Sequence, residues 1–178
     1  MKVFRIQFGI NNYQYFLADD ANDSVKLYMR DCQPLADSWV PPKVFVQYPR
    51  AKKSDFFQSN SSILIVNEKA RDALNSHLAF AGELLPLPYN DEMYFILNVT
   101  ECIDALDRER SEIQFGDVRR PVFRPDRFTE STLFKVPEDD LRIYVREGES
   151  DFDMEFRQAV EAAGLQGLRF VEVWSDEP

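Results

Sequence analysis

Residues 63–87 read ILIVNEKARDALNSHLAFAGELLPL, and their organisation decides the class of fold. Ile63, Leu64, Ile65 and Val66 form a short continuous apolar run, the signature of a strand buried on both faces. Asn67 stands where an N-cap belongs, since its short side chain accepts from the free N–H groups of a first helical turn. Ala70, Ala73, Leu74, Leu78 and Ala81 recur at helical spacing, which predicts a helix over 68–81. Gly82 falls where a left-handed C-cap is wanted, and Leu84-Leu85-Pro86-Leu87 reads as extended chain. The unit is strand, helix, glycine and extended chain in succession.

A similar succession closes the sequence. Leu141 to Val145 reads as a strand, and Ser150 is placed to cap a helix over 152–163, with Asp153 at its third position. Phe156, Ala159, Val160 and Ala163 supply the apolar stripe, and Gly164 and Gly167 end the helix before a strand from Leu168 to Trp174. Between the two units, Met93 to Val99 is the strongest strand. A short helix near 100–106 and a charged run from Asp107 to Glu112 follow it, and Phe115 to Phe134 reads as irregular. Upstream, Val3–Phe8 and Tyr13–Leu17 read as a hairpin joined through Gly9-Ile10-Asn11-Asn12. Pro41-Pro42 and Ser59-Asn60-Ser61-Ser62 mark residues 34–62 as a mostly irregular surface connection. These readings predict one α+β domain over 1–178, a twisted and mostly antiparallel sheet with two or three packed helices. The α+β core would span 63–178, with a less regular 1–62 packed against it.

Composition supports a folded core, since 44% of the 178 residues are hydrophobic and 13% aromatic. The formal net charge is -10, and it is unevenly placed. Residues 137–178 hold 12 acids against 4 bases, a net of -8, while residues 1–136 hold 19 against 17. A negative chain is a poor binder of phosphate backbones or anionic membranes, so neither nucleic acid nor membrane is an expected partner. Met1 to Ile6 carries no apolar run of the length that a signal segment needs, and no 18-residue apolar stretch occurs, so the expected compartment is the cytoplasm. Cys32 and Cys102 lie 70 positions apart without Cys or His at metal-ligand spacing, which reads as two reduced thiols. No metal and no cofactor is expected.

Catalytic chemistry finds little to use. His77 is the one histidine, at the edge of the predicted apolar stripe, where a packing role outweighs that of a general base. Asp139-Asp140 and Asp151/Asp153/Glu155 are the carboxylate sets that acid–base work would draw on. A calcium loop starting at Asp151 fails, because Phe156 falls where the turn needs glycine and Ala162 where it needs the bidentate glutamate. The plain reading puts Asp151, Asp153 and Glu155 in the first turn of a helix, where the dipole favours acids. Arg119, Arg120, Arg124 and Arg127 interleave with Phe123 and Phe128 as in single-strand nucleic-acid sites. In a negative chain these arginines fit a solvated loop better, or one paired with the acidic end.

The order of segments resembles the immunity protein eleven family of bacterial polymorphic toxin systems. The likeness runs through Trp39-Val40-Pro41-Pro42-Lys43-Val44, Ser54-Asp55-Phe56-Phe57, Ile63 to Leu74, Leu97-Asn98-Val99 and Ala105 to Glu112. It continues through Leu133-Phe134-Lys135-Val136 and Ile143-Tyr144-Val145, and ends on Ala159 to Phe170 with its Ala-Gly-Leu-x-Gly-Leu-x-Phe close. The resemblance implies a non-catalytic cytoplasmic protein that protects its producer by tight binding to a cognate toxin. Against a basic toxin, an acidic face would speed encounter. The expected toxin-binding residues are Asp139, Asp140, Glu147, Glu149, Asp151, Asp153 and Glu155. The competing readings are a carboxylate-dependent hydrolase working through the same cluster, and a nucleic-acid or nucleotide module working through the four arginines. A deep pocket collecting acids with raised pKa would favour the hydrolase.

Overall fold

The computed structural model describes residues 1–8, 13–27, 31–59, 63–139, 142–148 and 151–176. Strand β1 (Lys2–Phe8) is followed by β2 (Tyr15–Ala18), helix α1 (Ala21–Lys26), β3 (Val44–Gln47), β4 (Phe56–Ser59) and β5 (Ile63–Asn67). Helices α2 (Glu68–Ala73) and α3 (Asn75–Ala81) lead into β6 (Gly82–Tyr89) and β7 (Glu92–Val99). Short strands β8 (Glu112–Gln114), β9 (Asp117–Arg120) and β10 (Leu133–Phe134) precede β11 (Tyr144–Glu147), α4 (Phe156–Ala162) and β12 (Leu168–Ser175).

Two four-stranded sheets organise the chain, in the orders β10-β11-β1-β12 and β4-β5-β7-β6, and every pairing between named strands is antiparallel. The pairs β2–β3 and β8–β9 form separate ribbons. The result is a single α+β domain. Residues 1–62 supply β1 to the interior of the first sheet and β4 to one edge of the second.

The side-chain period of two explains three cores. In β5, Leu64 and Val66 join the central core with Phe4, Ile6, Leu97, Val145, Leu78, Phe156 and Val160, between the sheets and under α2, α3 and α4. Ile63 and Ile65 point the other way, into a second core with Phe16, Phe57, Leu85, Tyr94 and Ile96. The far face of the first sheet carries a third core, in which Val3 and Tyr144 pack with Val118, Phe123 and Phe134. The continuous apolar run at 63–66 is therefore a strand with a core on each side.

Several expectations need correcting. The helix over 68–81 is two short helices interrupted at buried Leu74, whose φ is -116° and ψ 12°. Asn67 does cap it, accepting from the Ala70 N–H at 2.8 Å. Gly82 is not a left-handed cap: it opens β6 in extended backbone, and a Cβ there would stand 2.0 Å from the Asn98 carbonyl oxygen. No helix forms near 100–106, because the Ile103 N–H is given to the Lys135 carbonyl at 2.9 Å and Cys102 and Leu106 bridge to Lys135 and Phe123. Strands β1 and β2 are not a hairpin. Val3 and Phe4 are buried in cores on opposite faces of the sheet, and both edges of β1 are paired, with β11 and β12, while β2 pairs with β3. The turn expected at 9–12 lies outside the described residues. The irregular stretch 115–134 contains β9 and β10 and follows directly on β8.

Candidate functional site

Helices α3 and α4 do not close on one another, and the segment before α4 lies along the gap. Between them is a cavity of about 560 Å³ lined by Ala73, Ser76, His77, Asp151, Phe152, Asp153, Met154, Ala159, Ala162 and Ala163. The alanines keep it open because none carries a side chain long enough to fill it. Its apolar wall is an aromatic stack: Phe152 lies 4.3 Å from the His77 ring at 23°, and meets Phe80 edge-on at 5.4 Å. Phe80 is 55% exposed and Met154 42% exposed. Asp151 and Asp153 are exposed beside them. The site is an apolar groove with a carboxylate rim.

This packing also explains a shorter α4 than expected. Residues 151–154 are bends, and the helix begins at Phe156 with Glu155 as N-cap. Phe152 stacks on His77 instead of continuing a helical stripe, so Asp151 and Asp153 stand ahead of the helix and not within its first turn. Ser150, the expected cap, lies outside the described residues.

His77 is a packing histidine. It is 4% exposed, and its Nδ1 lies 2.9 Å from the Thr132 hydroxyl. Burial lowers its pKa, against the opposing pull of the Glu155 charge and a hydrogen bond to the Met154 backbone. A ring covered by Phe152 and bound to Thr132 is poorly placed to take a proton from a substrate.

The seven acids expected to form one face have different surroundings. Asp139 is 8% exposed and accepts from the Tyr144 hydroxyl and, at 3.1 Å, from Arg142. Burial pushes its carboxyl up despite those partners, and the Tyr144 hydroxyl is raised by the same burial. Glu147 accepts two bonds from the Arg157 guanidinium, at 2.6 and 3.0 Å. Glu155 accepts the Gly148 N–H at 3.0 Å, which ties the end of β11 to the start of α4. Asp151 and Asp153 remain on the surface at the groove. Asp140 and Glu149 lie outside the described residues.

The hydrolase reading asks for acids of raised pKa meeting in a deep pocket. Asp139, the acid that burial raises, sits with Tyr144 of the third core, across the first sheet from the groove. The four arginines are dispersed onto local acids: Arg119 to Asp117, Arg120 to Glu112, Arg124 to Asp104 and Arg127 to Asp126. Their partners are neighbours, and not the acidic end. Cys32 and Cys102 form no disulfide. Among the described residues, no group of three or more His, Cys, Asp or Glu is placed to hold a metal ion, and no helix is long and apolar enough to cross a membrane.

Sequence reasoning missed the groove itself. Its trace was the interleaving of Phe152 and Met154 with Asp151, Asp153 and Glu155, a poor pattern for a solvated acidic turn. Fold and site thus describe an α+β domain with a groove between α3 and α4 that has carboxylates on its rim. The sequence profile of the immunity protein family (Imm11) matches residues 39–175, and the chain belongs to that family. Membership gives it the role of an immunity protein. No curated protein matches the chain.

Proposed function

We propose that this protein binds a cognate bacterial toxin in the cytoplasm and neutralises it by occupancy, without catalysis. Family membership carries the reading. The placement of charge supports it: residues 137–178 hold a net of -8, and Asp151 and Asp153 stand exposed at an apolar groove. A carboxylate rim around Phe80, Phe152 and Met154 suits a toxin segment that carries Lys or Arg beside an apolar side chain. Within the acidic set, Asp151 and Asp153 make the contact. Asp139, Glu147 and Glu155 hold the loops in place, and with Asp140 and Glu149 they add to the negative field that steers a basic partner.

Co-expression with the product of an adjacent toxin reading frame tests the function, and the expected outcome is rescue of growth. In a binding assay with that product, the on-rate should fall as salt is added. Asp151→Asn with Asp153→Asn should slow association about tenfold at low salt, while Asp37→Asn with Asp72→Asn leaves it unchanged. Equal effects of the two pairs would remove the groove as the contact surface.

A further inference from the structure

The β8–β9 ribbon carries an exposed residue that folding alone does not account for. Gln114 pairs with Asp117, so the loop between the strands is the two residues Phe115 and Gly116. Both have positive φ, +52° and +80°. That pattern belongs to a type I′ hairpin, which favours Asn-Gly or Asp-Gly because a short polar side chain tolerates the left-handed region. A bulky aromatic there is an outlier held at a conformational cost. The ring recovers none of that cost by packing, since Phe115 is fully exposed at 107%. The tip projects into open space: a Cβ placed on Gly116 would meet nothing within 4 Å. Ile113 in β8 is exposed as well.

The base of this arm is firmly held. Val118 is buried in the third core. Arg142 pairs with Asp117 at 2.7 Å and donates to the Val118 carbonyl at 3.0 Å. The Ser111 hydroxyl accepts the Val122 N–H at 2.9 Å. An aromatic side chain is thus presented on a braced support, in a conformation that costs stability, with no partner among the described residues. Pre-organised aromatic anchors of this kind supply most of the binding energy at protein interfaces.

We infer that Phe115 is such an anchor and enters an apolar pocket of the cognate toxin. The inference rests on the toxin-binding reading above and adds a residue and a pocket chemistry to it. Gln114, Phe115 and Gly116 are uncharged, so the pocket is apolar and the contact is insensitive to salt. The hairpin stands on the third-core side of the first sheet and the acidic groove on the central-core side, so the two contributions separate. The groove acts on association, and Phe115 acts on dissociation.

The test compares wild type, Phe115→Asn and Phe115→Leu in binding to the purified product of the adjacent toxin reading frame, at low and high salt, with melting temperatures recorded. Phe115→Asn installs the preferred turn sequence, so its melting temperature should equal or exceed that of wild type. Its affinity should fall at least about thirtyfold through faster dissociation, equally at both salts. Phe115→Leu, still apolar, should lie between the two. Wild-type binding with Phe115→Asn within about threefold of it would overturn the anchor and leave the toxin reading intact. Failure of wild type itself to bind would overturn the toxin reading, and the anchor with it.

Discussion

At Gly167 the chain passes so close to β4 that a Cβ would lie 2.8 Å from the Phe56 carbonyl oxygen and 2.9 Å from the Ser54 Cβ, at a φ of +120°. Next to it, the Gln166 carbonyl accepts the Asp55 N–H at 2.9 Å and the Asp55 carboxylate accepts the Gln166 N–H at 2.9 Å. Gly167→Ala combines backbone strain with a clash against main chain, and should cost about 2 kcal/mol or more in a urea titration. His77 gives a pH signature. Burial holds its imidazole pKa below the usual histidine value in the folded protein, whereas the unfolded chain protonates it near pH 6.5. Below that pH the unfolded state binds more protons, so stability declines from about pH 7 toward the lowered folded pKa and then levels. His77→Gln retains a partner for Thr132 and removes the titration, so its urea midpoint should depend less on pH than that of wild type between about pH 7 and pH 5. The histidine was legible as a packing residue, but its covering ring was not. The contact with Phe152 spans 75 positions and depends on how the segment before α4 lies against α3.

Among the elements, β5 and its helix entry were plainly legible. Four consecutive apolar residues allow no amphipathic alternative, and Asn67 announces the turn that follows. Asn67 also donates to the Asp55 carboxylate at 3.0 Å, so one amide ties the helix start to the residue that leads into β4. Asn67→Ala should therefore cost about 1 to 2 kcal/mol in chemical denaturation. The edge strand β6 shows a different device. Pro86 and Pro88 leave it without two N–H groups, and the Trp39 indole N–H donates to the Pro86 carbonyl at 2.9 Å. Replacing both prolines by valine should expose a pairing edge, and sedimentation should then show self-association that grows with concentration. The β8–β9 ribbon was illegible for a simple reason: Phe-Gly is not the dipeptide that such a turn prefers. The supposed helix near 100–106 failed because hydrogen bonds to Lys135, some thirty residues away, outbid the local helical ones.

Across the whole molecule, the concentration of acid in the last 42 residues was readable by counting, but its division was not. Whether a carboxylate faces solvent or braces a loop depends on Arg142, Tyr144 and Arg157, which reach it only after folding. The position of β1 was equally hidden, since its partners β11 and β12 lie about 140 to 170 positions downstream. That topology governs how the protein comes into being. A chain leaving the ribosome carries β1 without a neighbour until β11 has been made, and with one edge open until β12 follows. Loop closure over such separations is paid before the contacts repay it, so refolding after dilution from urea should be slow for a domain of this size, on the scale of milliseconds to seconds or longer. A stopped-flow trace followed through Trp174, which lies on β12 opposite Val3, would time the arrival of that final strand. A chain cut before β11 would therefore leave both edges of β1 open as a template for aggregation.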